Sequence, residues 1–171
     1  MAKALFITTK DIKRYSVLSG NVDPDKFVYM IEISQDTEIQ NYTGTKLMEK
    51  IQDLILNQTI DLPVNAAYKT LLETYLKPMT IYWALVCYMP FAAYSVANNG
   101  VFKRQAEGSV TVDKDEVDYL VEKYRDIAQF YTNNFISYMT FNQSDYPEYN
   151  SNTNDDIYPD TANADFGGWV L

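Results

Sequence analysis

The chain has 171 residues, 47% of them hydrophobic and 22% charged, which is ordinary for one globular domain with a real core. A net charge of −9, with fourteen Lys and Arg against twenty-three Asp and Glu, is a deficit of the residues that neutralise phosphates and argues against direct DNA readout. With no His and a single Cys, the chain lacks the side chains of a Ser–His–Asp or Cys–His pair, a zinc site and an internal disulfide.

The opening stretch Met1–Ile7 is too short an apolar run for a signal peptide, and the chain reads as cytosolic at synthesis. Thr8 or Thr9 is placed to cap a short helix through about Tyr15, with Asp11 in its first turn. Ser19-Gly20-Asn21 is a breaker. Asp23-Pro24 then starts a second helix, with Asp as N-cap and Pro where its missing N–H does no harm. This helix runs to about Tyr42 and puts Phe27, Met30, Ile31 and Ser34 on one face, although Phe27–Ile33 alone also fits a strand. Thr43-Gly44-Thr45 marks the next boundary, and Thr45 caps a third helix with Leu47, Ile51, Leu54 and Ile55 inward.

After a loop from Asn57 to Pro63, Asn65 caps a helix with Tyr68, Leu71, Leu72 and Tyr75 inward, broken or bent at Lys77-Pro78. No charge occurs between Lys77 and Lys103. The stretch Met79–Val96 is near spanning length, but its Pro90, Thr80, Ser95 and tyrosines fit a central helix surrounded by other helices better than a membrane span. Pro90 is expected to kink it, Cys87 to be a small buried hydrophobe, and Asn98-Asn99-Gly100 to end it. Val101–Gln105 and Ser109–Asp113, around Glu107-Gly108, predict a small β-hairpin or extended loop, exposed, with Phe102, Lys103 and Arg104 as partner-binding candidates. Asp113 with Glu116 then opens the clearest helix, whose inward face carries Val117, Leu120, Val121, Tyr124, Ala128, Tyr131, Phe135 and Tyr138. No internal repeat is present.

No phosphate-cradling glycine motif occurs. The acidic groups at 113–118 and at Asp155, Asp156 and Asp160 lack the Gly and closing Glu of a calcium loop and read as solvated charge. No enzymatic activity, cofactor or metal is expected.

The last forty-six residues contain no Lys or Arg, and seven of the nine net negative charges fall there. From Asn142 onward Asn, Asp, Ser, Thr and Pro dominate, too little apolar surface to offset the entropy of ordering. Tyr146, Tyr149, Ile157, Tyr158, Phe166, Trp169, Val170 and Leu171 are nevertheless spaced along it, and aromatics supply much of the anchoring energy at interfaces. The expected organisation is a helical domain over 1–141 that folds by itself and an acidic docking arm over 142–171. The arm's partner-binding candidates are Tyr146, Tyr149, Tyr158, Phe166, Trp169, Val170 and Leu171. Fifteen tyrosines suit subunit contacts as well as a core.

The run from Phe27 through IEISQDTEIQNYTGTKLMEKIQDLI resembles the second and third helices of small phage head–tail connector proteins. In that family a helix with an Ala-Gln…Ile pattern leads into a Leu-Gly-Thr-Lys-Leu junction. The corresponding residues here are Ser34-Gln35, Ile39 and Tyr42-Thr43-Gly44-Thr45-Lys46-Leu47. Asn98–Val101 and the helix DEVDYLVEKYRDIAQFY continue the likeness, which covers roughly residues 5 to 141 and is greatest to the connectors of crAss-like phages.

The resemblance implies an all-α bundle forming a homo-oligomeric, dodecameric ring in the virion neck. It implies contacts with the portal protein and other neck or tail rings, with DNA passing through the channel without sequence-specific binding. It also implies assembly in the host cytoplasm and no membrane contact. Gly167-Gly168 would let the arm turn so that Trp169 enters a partner's pocket. The alternatives are a cytosolic binding or regulatory module, or a capsid cargo protein, with an acidic partner-binding tail.

Overall fold

The first helix begins where a threonine and an aspartate three residues apart satisfy each other. Thr8 donates its backbone N–H and its hydroxyl to Asp11 Oδ2, both at 2.8 Å, and the Asp11 N–H returns to Thr8 Oγ1 at 3.4 Å. The computed structural model describes residues 3–15, 24–92, 94–97, 100–103 and 114–162. Among these, α1 (Thr9–Tyr15), α2 (Pro24–Ser34), α3 (Gln40–Leu56), α4 (Ala66–Thr70), α5 (Lys77–Tyr88) and α6 (Lys114–Asn142) make an all-α bundle. The breaker Ser19-Gly20-Asn21, the cap Asp23 and the residue pair Asn98-Asn99 lie outside the described residues.

The uncharged stretch forms the middle of the bundle. α5 packs on α2 along one side and on α6 along another. Met79, Ile81, Trp83, Ala84, Leu85 and Tyr88 are all buried, as a helix apolar on every side requires. Thr80 is fully buried with its hydroxyl donated to Leu76 O at 2.7 Å. Trp83 Nε1 donates to Thr132 Oγ1 at 3.0 Å, and that hydroxyl donates onward to Ala128 O at 2.9 Å, so the α5–α6 contact holds no unpaired donor there. Among the described residues no helix is long and apolar enough to cross a membrane. Pro90 ends α5 instead of kinking it: the chain tightens into a 3-10 turn at Met89–Phe91 and then enters a strand. Cys87 is half-buried, and burial followed by the nearby Glu38 carboxylate pushes its thiol pKa up.

Two wide helical turns accommodate what regular α-helix cannot. Pro78 has no N–H to donate and its ring would crowd the carbonyl four residues back. The segment Leu71–Leu76 is a π-helix, and the Lys77 N–H donates to Leu72 O five residues back. Helix therefore continues from α4 through α5 where a break or bend was expected. Asn65 makes no side-chain cap bond to it, and its amide instead donates to Thr59 O at 2.8 Å. The second π-helix, Gln35–Ile39, separates α2 from α3, with the Gln40 N–H bonded to Gln35 O. It turns Gln35 inward, where Oε1 accepts from the Phe6 N–H at 2.7 Å and Nε2 donates to Ala4 O at 3.1 Å. Gln35 thus fastens the N-terminal segment to the bundle, with Phe6 and Ile7 in the core.

β1 (Tyr94–Ala97) and β2 (Gly100–Lys103) form an antiparallel pair with Tyr94 opposite Lys103 and Ala97 opposite Gly100. The hairpin expected between Val101–Gln105 and Ser109–Asp113 is corrected to that extent. Val101–Lys103 pairs backward with the preceding run, across a two-residue separation that closes at small entropic cost. Residues 104–113 lie outside the described residues.

The boundary expected at 141/142 is also corrected. After α6 two 3-10 turns, Gln143–Asp145 and Pro147–Asn150, return the chain to the bundle. Tyr146 is fully buried, its hydroxyl within 2.9 Å of the Tyr138 hydroxyl and 3.0 Å from Ala67 O. Tyr149 is buried beside Phe135, and Tyr68 donates to Glu148 Oε2 at 2.6 Å. A short polar segment is held because its two aromatic rings pack between the helices and its polar groups bond to them.

The return ends in a seam at Gly44. This residue breaks the helical path inside α3 with φ 73° and ψ 166°, a conformation open to glycine alone. The turn exposes the N–H groups of the next helical stretch, and the returning segment caps them. Lys46 N–H donates to Asn152 Oδ1 at 3.0 Å and Thr45 N–H to Ile157 O at 3.0 Å. Thr45 Oγ1 accepts from the Ile157 N–H at 2.9 Å, so Thr45 joins the segments where a local cap was expected. Asp160 N–H donates to Asn41 O at 2.7 Å. Asp156 stands 3.5 Å from Lys46 Nζ, and the Thr153 N–H, the Thr153 hydroxyl and Lys46 hold its carboxyl below the ordinary range.

Candidate interaction surface

α6 is apolar on two faces. Ala128, Thr132, Phe135 and Met139 are buried on one. At 100° per residue, Tyr119, Leu120, Ile127, Phe130 and Phe141 fall within a sector of about 100° on another. These five are exposed, Phe130 by 52% and Phe141 by 85%. Leu120 therefore belongs to the outer face and not to the inward one assigned from the sequence. Lys123 lies in the same sector, its ammonium 5.5 Å from the Tyr119 ring centre. Glu116, Asn134 and Ser137 interrupt the apolar residues in this sector, and their exposed rings make it the candidate interaction surface.

One flank of the stripe descends into two grooves that share Tyr131. The upper groove, of about 240 Å³, is lined by Tyr15, Lys77, Pro78, Ile81, Tyr82 and Tyr131. The lower, of about 520 Å³, is lined by Tyr75, Tyr131, Asn134, Ser137, Tyr138 and Phe141. Each contains a stacked ring pair. Tyr82 and Tyr131 lie 5.2 Å apart and 8° from parallel, and Tyr75 and Tyr138 lie 4.2 Å apart at 24°. Burial, then the Tyr131 and Tyr124 hydroxyls, push the Tyr82 phenol pKa up, so it stays protonated at neutral pH. Rings already stacked lose little freedom when something binds over them. Charge sits at the edge: Glu73 pairs with Lys77 at 2.7 Å, and the Arg14 guanidinium stands 5.7 Å from the Tyr15 ring centre.

The residues expected to bind partners separate into three groups. Tyr146 and Tyr149 are corrected to core residues, because their rings fill the space between α4, α6 and the Gly44 seam. Tyr158 is 59% exposed, beside Ile157 at 41%, on the outside of the returning segment. Phe166, Trp169, Val170, Leu171 and Arg104 lie outside the described residues, and Phe102 and Lys103 fall in β2, described by its backbone alone. The groove tyrosines were readable only as inward-facing, and Phe130 and Phe141 were not singled out at all. A second apolar periodicity along α6 was the available signal for them. At the acidic cluster, Asp156 is taken up by Thr153 and Lys46, and Asp160 Oδ1 accepts the Ala162 N–H at 2.8 Å. Among the described residues no group of three or more His, Cys, Asp or Glu is placed to hold a metal.

Residues 39–158 match DUF6712, a family of unknown function. The chain belongs to this family. The matched span starts in the π-turn before α3 and ends in the returning segment. It therefore takes in the Gly44 seam, Tyr146 and Tyr149 together with the helices they pack on. No curated protein and no solved structure matches the chain.

Proposed function

We propose that the protein is a structural virion component, one subunit of a ring at the phage neck that joins portal to tail and extends the DNA channel. The observation that carries this reading is the outer face of α6 with its adjoining grooves. It is long, apolar and rich in Tyr and Phe, the composition of surfaces that become the centres of protein interfaces. A closed ring needs two different complementary surfaces on every subunit, and a stripe along one helix supplies one of them. The net charge of −9 suits a channel through which DNA must slide without adhering. The Ser34-Gln35…Ile39 and Gly44-Thr45-Lys46-Leu47 runs that carry the connector resemblance anchor the N-terminal segment and form the seam, so the likeness falls on residues with a structural task. On this reading the protein does its work by binding, as a non-enzymatic subunit.

Co-expression with the portal protein of the same genome tests the proposal. The expected result is a stable complex that survives size-exclusion chromatography. A portal that elutes free of the protein would oppose the ring and favour a cytosolic binding module.

A further inference from the structure

We infer that the two grooves of one copy receive residues 163–171 of a neighbouring copy, so that subunits join head to tail. The inference rests on the ring reading for the presence of neighbours and names what holds them together.

Three observations carry it. The first is chemical: the segment NADFGGWVL offers Phe166, Trp169, Val170 and Leu171 with one charge, Asp165. The grooves offer stacked tyrosines, Pro78 and Ile81; Asp11 and Glu73 also line the upper one and Lys77 is already paired with Glu73, so the match is one of apolar and aromatic surface. The second is spacing. The stacks on Tyr131 and Tyr138 are seven residues apart on α6, about 10 Å at the helical rise. Phe166 and Trp169 are three residues apart, within about 10 Å along the chain, and the Gly167-Gly168 between them frees the backbone to twist so that both rings can face one side. One ring can therefore enter each groove.

The third is position. The described chain ends at Ala162, just after Asp160 bonds Asn41, beside the π-turn whose Glu38 faces Arg125 of α6. Arg125 and Tyr131 lie about 120° apart around that helix. The chain's own grooves are thus on a different flank from the point where residues 163–171 begin, whereas a neighbour in a ring can present its grooves directly.

The experiment uses full-length chains and a labelled peptide of residues 161–171. The acceptor is a chain carrying Phe166→Ala and Trp169→Ala, whose grooves are free, and binding is read by fluorescence anisotropy. Saturable binding is expected, weakened on the order of thirtyfold by Phe141→Asp or by Tyr15→Asp, the change typical of losing an interface anchor. Both groove residues are exposed, so circular dichroism should stay unchanged. Absence of peptide binding, or binding indifferent to both groove variants, overturns the inference. Next, the double-alanine chain (grooves intact) is mixed with a chain carrying Phe141→Asp and Tyr15→Asp (segment intact) and examined by sedimentation velocity. A one-to-one complex is expected. A mixture that stays monomeric although the peptide binds means the segment docks within its own chain, which also overturns it. Co-purification with the portal is scored separately, so ring formation with empty grooves, or filled grooves without a ring, identifies which of the two readings failed.

Discussion

Replacing Gly44 by Ala tests the seam at its tightest point. A Cβ built there meets Asn152 Nδ2 and Pro159 Cδ and Cγ, all at 2.9 Å, against a backbone φ of +73°. The backbone conformation alone costs a non-glycine residue about 1–3 kcal/mol. Relieving the overlap means moving residues 152–160 outward, which strips the Lys46 N–H of its Asn152 cap and separates Thr45 from Ile157. Loss of such a cap costs about 1 kcal/mol, and each further hydrogen bond about 0.5–1.5 kcal/mol. Since the chain will adopt whichever distortion is cheaper, the expected destabilisation is about 2–4 kcal/mol. Urea denaturation should show it as a lower midpoint, and in a chain of this length the melting temperature should fall by about 4–16 °C. Adding Pro159→Ala should restore part of the loss, because it removes the two Pro159 overlaps and leaves the Asn152 contact and the backbone strain. A Gly44→Ala protein within 0.5 kcal/mol of the parent would refute the seam as described.

Gln35→Ala leaves the Phe6 N–H without its partner and leaves Ala4 C=O only the longer 3.5 Å bond from Gln52 Nε2, and should cost about 1–3 kcal/mol by urea denaturation. A chain stopped after Phe141 loses Tyr146, Tyr149 and the Asn152 cap. Tyr146 alone is worth about 3–5 kcal/mol as a buried aromatic, so the thermal transition should broaden and shift far down, whereas an unshifted melt would restore a self-sufficient 1–141 domain. Asp156 has a folded pKa held below its ordinary value, first by the Thr153 N–H. Its contribution is therefore complete above about pH 4 and disappears as pH falls through the folded value. Asp156→Asn should destabilise at pH 7 and converge on the parent as pH falls through that folded value, and a gap that stayed constant into acid would contradict that assignment.

What the sequence made legible was what short-range chemistry decides. Thr8 with Asp11, the start at Pro24, the inward Leu47 and Ile51, and the long final helix all follow from caps and periodicity. Gly44 was visible as a junction, but not its reason, since the atoms that crowd it lie more than a hundred residues later. The π-turn before Pro78 has a local cause, the proline ring, which read as a break or bend, whereas the one at Gln35–Ile39 goes with the inward turn of Gln35 toward the distant Ala4 and Phe6. The segment after Phe141 misled because composition measures a stretch by itself. Two tyrosines suffice when distant helices supply the walls of the site they fill. The grooves were hidden for the opposite reason: Tyr131 and Tyr138 fit a buried face by periodicity, yet they line an open one.

The central claim, ring assembly through the outer face of α6, is tested most directly by electron microscopy of the protein with its cognate portal, beside a variant carrying Phe130→Asp and Phe141→Asp. The account predicts closed rings of twelve subunits stacked coaxially on the portal for the parent and bare portals for the variant. Parent particles without ring density, or a variant that forms the same rings, would contradict it.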